Sequence, residues 1–513
     1  MKALLLPCDT RPPTLEAPVQ AARCAGVTLE TPPREILNDL NRPGDPAALA
    51  EWLRERAPEA EFAVLTLETL ALGGMIPARR VDDPLETALE RLEVLREVKR
   101  ANPRLRLLAY GVIVRVAHDN DPLEEKPYYG QFGPQLRTVS EWTDRAERTG
   151  RPQDAATLEA AREAVPAPIL ENWLGTRERN HALHRRAIEM LAEGTLEHLC
   201  LTLDDTTPYG LAARDRRRLE ALLDAGNLWD RADVYPGADE VATALVARAL
   251  VNARPEGALP VRVVYPSTLA EASVMLYEDR CLGELVKAHL RAAGCRPARP
   301  GETPAFTLAV NAPAARQGQR APDFETVDTA NRNLPEFLDE LAAVQSAGQP
   351  LAVADVAYAN GSDPRFTTQL LARLDVTRLL AYGAWNTAGN ALGGAIGLAA
   401  CAALGANATP ETRRARVEAV LARLVDDHLY QGAARAEVWD VLDDPSPFDL
   451  GGQLAAAEAE VAARMIPRAQ ALWNAHFAPR LPGWTLETGR PGLAWPRLFT
   501  GVFPLKVTAP AGE

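Results

Sequence analysis

The residues with the clearest chemical potential are two adjacent aspartates, Asp204 and Asp205, in the segment LTLDDTTPYG at residues 201–210. Adjacent side chains leave an extended strand in opposite directions, but both can turn into one cavity where the strand ends. Two carboxylates held close together push their pKa values apart, so that one acts as an acid while the other stays ionised. We therefore predict that Asp204 and Asp205 are catalytic and that Tyr209 contacts the substrate. The alternative is that Asp204 caps the turn and Asp205 is solvated.

A second segment, AWNTAGN at residues 384–390, brings one indole and two amides together before a pair of glycines. A tryptophan packs against sugar rings, and an asparagine both donates to and accepts from hydroxyl or acetamido groups. This pattern predicts that Trp385, Asn386 and Asn390 bind substrate. The alternative is that one asparagine caps the following helix and Trp385 is a core residue.

Further charged residues follow other apolar runs, and we predict that they also face the substrate. They are Asp9, Arg11, Glu68, Asp239, Glu240 and Asp355. Arg11 could bind a carboxylate or phosphate with both guanidinium nitrogens, or simply neutralise Asp9. Acids in a first helical turn also complement the helix dipole, which is the alternative for Asp239 and Glu240.

The motifs of several cofactor-dependent classes are absent from the sequence. It has no H-E-x-x-H, no G-x-G-x-x-G after the first apolar run, no P-loop and no G-x-S-x-G. His181 and His184 are spaced for one helix face but lack a third ligand, so no metal site is predicted from motifs. The alternative is an Mg²⁺ or Mn²⁺ cage of hard oxygen ligands drawn from Asp9, Asp204, Asp205, Asp239, Glu240 and Asp355.

Nine apolar runs position these residues, and helical stretches alternate with them. The runs are 3–6, 62–67, 107–114, 199–203, 233–235, 261–265, 306–310, 351–354 and 379–382. Such runs are typical of a parallel sheet that helices cover on both faces, with ligands at the carboxyl ends of the strands. The pattern predicts an α/β fold, a (β/α)8-barrel-like sheet with C-terminal helical additions, or alternatively two doubly wound α/β domains.

The domain boundaries follow from the same pattern. Residues 1–407 form the predicted α/β catalytic region, with a division near 255 under the two-domain alternative. Residues 118–175, which contain two helical stretches, are predicted to be an inserted lid. Residues 408–513 are predicted to be helical and then irregular or β-rich.

Composition and charge exclude several classes of partner. The 513 residues carry a net charge of −13, which argues against nucleic-acid binding because phosphate contacts need clustered cations. We found no signal-peptide or membrane-spanning pattern, and six scattered cysteines are typical of reduced thiols. We expect a cytoplasmic protein whose partner is a small-molecule carbohydrate, with no membrane partner. Homo-oligomer formation stays open.

Several motifs together resemble a bacterial family catalogued as domain of unknown function 4127. They are PCDTRPP, TLETLALGGMIPAR, RNHALHRRAIEML, LTLDDTTPYG, YPGADEV, VADVAYANGSDP and AYGAWNTAGNALGGAIG. The resemblance covers nearly the whole chain and implies that the chain is one evolutionary unit. It implies no particular activity.

Two of the motifs, Asp-Asp and Trp-Asn-x-x-x-Asn, are also similar to those of O-GlcNAcase-like hexosaminidases on (β/α)8 barrels. In those enzymes the acetamido oxygen of the substrate attacks with the help of two aspartates. That resemblance implies that Asp204 polarises the acetamido group and Asp205 is the acid/base. It also implies that Asn386 and Asn390 bind the sugar.

These observations lead to a hypothesis of a glycoside hydrolase-like enzyme that acts on small sugars, N-acetylated ones included, by carboxylate acid/base catalysis. The first alternative is an Mg²⁺- or Mn²⁺-dependent hydrolase or lyase. The second is a cytoplasmic sugar-binding module without turnover.

The role of Asp205 yields a first prediction. Replacing Asp205 by Asn removes the acid/base and should abolish turnover of aryl N-acetylhexosaminides with little change in melting temperature. Unchanged turnover would remove Asp205 from the mechanism. Turnover that stops when a chelator is added would favour the metal-dependent alternative.

Overall fold

The computed structural model describes residues 1–204, 206–321, 327, 330–405 and 409–510. The strands, in chain order, are β1 (Lys2–Leu6), β2 (Thr28–Glu30), β3 (Phe62–Thr66), β4 (Arg106–Ile113), β5 (His198–Leu203), β6 (Ala232–Pro236), β7 (Leu259–Val264), β8 (Cys295–Pro297), β9 (Phe306–Asn311), β10 (Leu351–Asp355), β11 (Ala381–Gly383), β12 (Thr485–Thr488), β13 (Gly492–Leu493), β14 (Gly501–Val502) and β15 (Leu505–Thr508).

The α-helices are α1 (Ala17–Cys24), α2 (Pro46–Arg56), α3 (Leu67–Leu72), α4 (Met75–Arg80), α5 (Leu85–Leu92), α6 (Val94–Ala101), α7 (Tyr129–Thr149), α8 (Pro152–Glu163), α9 (Ala167–Ala192), α10 (Leu211–Gly226), α11 (Val241–Asn252), α12 (Leu282–Ala292), α13 (Leu334–Ser346), α14 (Pro364–Arg373), α15 (Ala388–Gly405), α16 (Pro410–Arg423), α17 (Arg435–Trp439) and α18 (Leu454–Leu472). Wider π-helical turns span Pro12–Glu16, Leu424–Ala434 and Trp473–Phe477.

The chain forms two compact units. The first unit comprises Met1–Thr10, Leu29–Ala238 and Tyr277–Asp279, and the second comprises Arg11–Thr28, Asp239–Leu276 and Arg280–Glu513. The main division therefore falls between Ala238 and Asp239, whereas the two-domain alternative placed it near residue 255. The short segment Arg11–Thr28 is part of the second unit although it follows β1 in the sequence.

The first unit is built on a six-stranded sheet with the order β2-β1-β3-β4-β5-β6. The strands β1, β3, β4, β5 and β6 pair in parallel. Their side chains are buried on both faces, as in β3, where all five residues are buried. After β1 the chain adds β2 on one side of it and then β3 on the other side, so the strand order reverses between β1 and β3. Open α/β sheets leave a crevice for ligands at such a point.

The second unit repeats this arrangement with five parallel strands in the order β11-β10-β9-β7-β8. If β7 is counted as the first strand of this sheet, its five strands follow the same spatial order as β1 to β5 of the first unit. Two small antiparallel pairs, β12 with β15 and β13 with β14, lie in the C-terminal part of this unit.

The α/β class is confirmed, and all nine predicted strands are present as β1, β3, β4, β5, β6, β7, β9, β10 and β11. They are divided between two parallel sheets, which is the arrangement expected for two doubly wound units. The strands that the sequence did not indicate, β2 and β8, have three residues each. Strands this short carry too few residues for a periodic pattern.

Helix α15 is the apolar centre of the second unit. It is 18 residues long and has the length and composition of a membrane span, but 83% of it is buried inside the protein. Glycines let α11 approach it closely, because a Cβ built on Gly397 would lie 2.9 Å from the backbone of Thr243. Gly394, on the same helix, has no atom within 4 Å of its Cβ position.

This contrast yields a matched pair of variants. Gly397→Ala forces α11 and α15 apart and should lower stability by about 1–3 kcal/mol, as overpacking does. Gly394→Ala should raise stability by about 0.5–1 kcal/mol, because alanine is the better helix former and meets no neighbour. Thermal melting of both variants checks this, and equal melting temperatures would show that the helices do not depend on this contact.

Candidate active site

A small cavity lies at the carboxyl end of β11 in the second unit. Its volume is about 50 Å³, which is room for a few water molecules. Its polar lining comes from separate segments of the chain, and it comprises Gln20, Asp239, Glu240, Thr243, Asn390, Arg423 and Asp427. Trp385 and Tyr382 supply aromatic surface. Four predicted substrate-binding residues therefore meet here: Asp239, Glu240, Trp385 and Asn390.

Asp239 is fixed by a buried ion pair with Arg11. The guanidinium donates through Nη2 at 2.5 Å and through Nη1 at 3.2 Å to the two carboxylate oxygens, and both side chains are almost fully buried. Arg11 also stacks over the ring of Trp495, at 4.4 Å from its centroid. The backbone N–H of Asp239 donates to Oδ1 of Asn390 at 3.1 Å. Asp239 is thus held in place by its side-chain ion pair and by its backbone hydrogen bond.

Asp427 enters the cavity from the π-helical segment Leu424–Ala434, which continues α16. Its Oδ2 accepts a hydrogen bond of 2.7 Å from the backbone of Ala384, just beyond β11, and its Oδ1 lies 3.3 Å from Arg423. Burial raises the pKa of Asp427 to about 7, although Arg423 acts in the opposite direction. Wide helical turns of this kind occur frequently at functional sites.

Sequence reasoning missed Asp427. The available signal was the adjacent pair Asp426-Asp427, one of four such pairs in the sequence, within a stretch that is otherwise typical of an exposed helix. A periodicity of 3.6 residues does not indicate a π-helix, so the inward direction of both carboxylates could not be predicted.

Three buried polar atoms of the lining have no hydrogen-bond partner among the described residues. They are Nε1 of Trp385, Oγ1 of Thr243 and Nε of Arg423. Buried polar groups are normally satisfied, so a ligand or water in the cavity would supply the missing partners. Trp385 also packs against Phe499, with 5.6 Å between the ring centroids. Asn386 adopts a left-handed conformation with φ of 60° and does not line the cavity.

Asp355 lies deeper in the same unit, at the end of β10. It is fully buried and accepts hydrogen bonds from the side chain of Asn311 at 2.8 Å and from the backbone of Asp363 at 2.7 Å. Asp363 in turn forms a buried ion pair with Arg332. Burial and then the charge of Asp363 raise the pKa of Asp355 to about 7. Asp355 is not part of the cavity wall, so its predicted contact with substrate stays a prediction.

The predicted catalytic aspartates belong to the first unit. Asp204 follows β5 and accepts a hydrogen bond of 2.7 Å from Arg79, with Arg115 at 3.7 Å. Glu125 joins the same network, at 3.4 Å from Arg79 and 3.1 Å from Arg115. Asp205 lies outside the described residues, so its predicted role as acid/base stays a prediction.

Glu68 and Asp9 lie beside the point where the strand order of the first unit reverses. Oε1 of Glu68 lies 2.7 Å from Nε2 of His184 and accepts a hydrogen bond of 3.0 Å from the backbone of Val112. Asp9 is buried, 3.8 Å from the Sγ of Cys8. His181 lies on the same helix as His184, and burial lowers its pKa to about 4.

The residues of the predicted oxygen cage are distributed over both units. Asp9 and Asp204 belong to the first unit, and Asp239, Glu240 and Asp355 belong to the second. Within the first unit alone, His198, Cys200 and Asp233 have ligand-type atoms within 4.8 Å of one another. His198 and Asp233 already form a hydrogen bond of 2.8 Å, which accounts for their proximity without a metal ion.

Fold and site together define an α/β protein of two parallel-sheet units, with a carboxylate-lined cavity at the carboxyl end of a strand in the second. The family described as "Protein of unknown function (DUF4127)" matches residues 3–502, and the chain belongs to this family. The comparison with curated proteins found no match.

The ion pair of Arg11 and Asp239 yields a prediction about stability. Arg11→Met leaves a buried carboxylate without its partner and should destabilise the protein by about 3–5 kcal/mol. The double variant Arg11→Met with Asp239→Asn also removes the unpaired carboxylate, so it should recover part of the lost stability. Lys287→Met, which breaks an exposed pair with Glu284, is the control. If Arg11→Met melts no lower than this control, the pair is not the anchor of the site.

Proposed function

We propose that this protein is a hydrolase that cleaves glycosidic bonds of small sugars, with the cavity at the end of β11 as its active site. The observation that carries the proposal is the meeting of Asp239, Glu240, Trp385, Asn390 and Asp427 at one cavity, although these residues are spread over almost 190 positions of the sequence. Carboxyl groups, an amide and an indole are the groups that sugar hydrolysis needs, without a cofactor.

We assign the two proton-transfer roles to Asp427 and Glu240. Burial raises the pKa of Asp427 to about 7, which favours the protonated form that a general acid needs. Asp427 donates its proton to the leaving oxygen as the bond from the anomeric carbon to that oxygen breaks. Glu240 accepts a proton from the water that attacks the same carbon, which balances the reaction. Asp239, which is held by its ion pair with Arg11, contributes negative charge beside the developing oxocarbenium ion.

The remaining lining suits the hydroxyl groups of a sugar. Nε1 of Trp385 and Oγ1 of Thr243 offer hydrogen bonds that no described residue uses. A volume of about 50 Å³ accommodates the attacking water and the reacting oxygen, with the rest of the sugar at the mouth. The motif resemblance that implies N-acetylated sugars assigns the acetamido group to Asp204, which does not line this cavity, so plain and N-acetylated hexosides are both candidates.

The proposal includes a cytoplasmic location, as expected from the sequence. The six cysteines are free thiols, five of them buried, which suits a reducing compartment. The substrate would then be an intracellular sugar.

The acid role of Asp427 is open to a direct test. Asp427→Asn keeps the size of the side chain but cannot donate the proton, so turnover of activated aryl glycosides should fall by about 100-fold or more. In the wild type, turnover should decline as the pH rises through about 7, because Asp427 loses its proton. This alkaline decline should be absent from the residual activity of the variant.

Gly394→Ala provides a second, independent probe of the site. It places a methyl group at the cavity wall without a clash, so turnover should fall while the melting temperature does not. A panel of aryl hexosides and N-acetylhexosaminides, with and without a chelator, is the assay. Full activity of Asp427→Asn, or activity that needs a divalent metal, would overturn the proposal. Sugars that raise the melting temperature without any turnover would instead support the sugar-binding alternative.

A further inference from the structure

A larger cleft lies in the first unit, at the carboxyl ends of the neighbouring strands β4 and β5. Its volume is about 390 Å³, within the range of small-molecule sites. Val116 and His118 follow β4, Thr207 and Tyr209 follow β5, and helix α7 forms the third wall. Loops that leave adjacent parallel strands at this edge are where α/β proteins bind ligands.

The wall that α7 contributes carries an excess of positive charge. Arg137 and Arg145 line the cleft and face a single carboxylate from the same helix, Glu141. Arg148 adds a third guanidinium, which lies over the ring of Tyr209 at 4.9 Å. The whole chain has a net charge of −13, so this group of arginines has a charge opposite in sign to that of the protein as a whole. A concave surface with such charge attracts and retains anions.

The arginines are held in position before any ligand arrives. Arg137 donates through Nη1 to the carbonyl oxygens of Ala117 and Asp119 and to Oδ1 of Asn120, all at 3.0–3.2 Å. Arg145 lies 4.5 Å from the ring of Tyr209 and 5.3 Å from that of Trp142. A guanidinium that is already oriented loses less conformational entropy when it binds an anion.

A purely structural explanation accounts for only part of this arrangement. Arg145 pairs with Glu141 one turn away on α7, at 2.8 Å, as many exposed arginines do. That pair does not explain why Tyr209 is left 38% exposed between guanidiniums at the edge of a cleft. A ligand with a negative group would use these cations together.

We propose that this cleft binds a small molecule that carries a carboxylate or phosphate group, with Arg137 and Arg145 as its charged contacts. The ligand class follows from the two guanidiniums, which match both anions in a bidentate manner. The inference concerns the first unit and does not depend on the hydrolase proposal, whose site lies in the second.

Isothermal titration calorimetry of the full chain provides the test, with glucose 6-phosphate, glucuronate, inorganic phosphate and neutral glucose as probes. At least one of the anions should bind, more weakly at high salt, and glucose should not. Binding of inorganic phosphate alone would identify a free anion as the ligand. Preference for the two anionic sugars would identify the ring as part of what is recognised.

Arg145→Gln and Arg162→Gln form a matched pair of variants. Both arginines are about equally exposed, at 38% and 40%, and each pairs with a glutamate on its own helix, but only Arg145 lines the cleft. Arg145→Gln should weaken binding of the anion by about 10- to 100-fold, and Arg162→Gln should leave it unchanged.

Tyr209→Leu, which removes the ring beside Arg145, should also weaken binding, and Tyr209→Phe should restore most of it. The melting temperature of each variant shows whether it is folded, and the tyrosine variants keep the test decisive if Arg145→Gln does not fold. The proposal is overturned if no anion binds, if glucose binds equally well, or if Arg145→Gln and Arg162→Gln behave alike.

Discussion

A buried charge is costly unless an opposite charge or hydrogen bonds meet it, and ion pairs of this kind recur in both units. In the second unit Arg11 meets Asp239, Arg332 meets Asp363 and Arg423 meets the pair Asp426-Asp427. In the first unit Arg79 meets Asp204, and Arg177 meets Asp215. Each of these ion pairs holds two segments, or two turns of one helix, in fixed relative positions.

The ion pair of Arg11 and Asp239 has a particular consequence for the fold. It ties the short segment Arg11–Thr28 to the start of α11 within the second unit, far from the place of that segment in the sequence. Asp239 is thereby held beside Glu240 and Asn390, and the close approach of α11 and α15 brings Thr243 to the same wall. The cavity is therefore formed by the packing of two helices and one ion pair more than by any single motif.

The two units place different chemistry at equivalent edges of similar sheets. The cavity of the second unit is small and lined by carboxylates, which suits proton transfer near the reacting atoms. The cleft of the first unit is larger and carries arginines, which suits recognition of a charged group. Strand order alone does not distinguish these roles, since both sheets begin with the same order.

The sequence by itself determined the nine main strands and the α/β class, because near-continuous apolar runs between helical stretches require a covered parallel sheet. It also indicated that Asp239, Glu240, Trp385 and Asn390 belong to strand ends. Only the tertiary structure decided that these four share one cavity with Asp427 and that Arg11 pairs with Asp239, since both depend on contacts between distant segments. The same holds for the division into two sheets: local periodicity specifies a strand and its burial, but strand partners are chosen by packing across the whole chain.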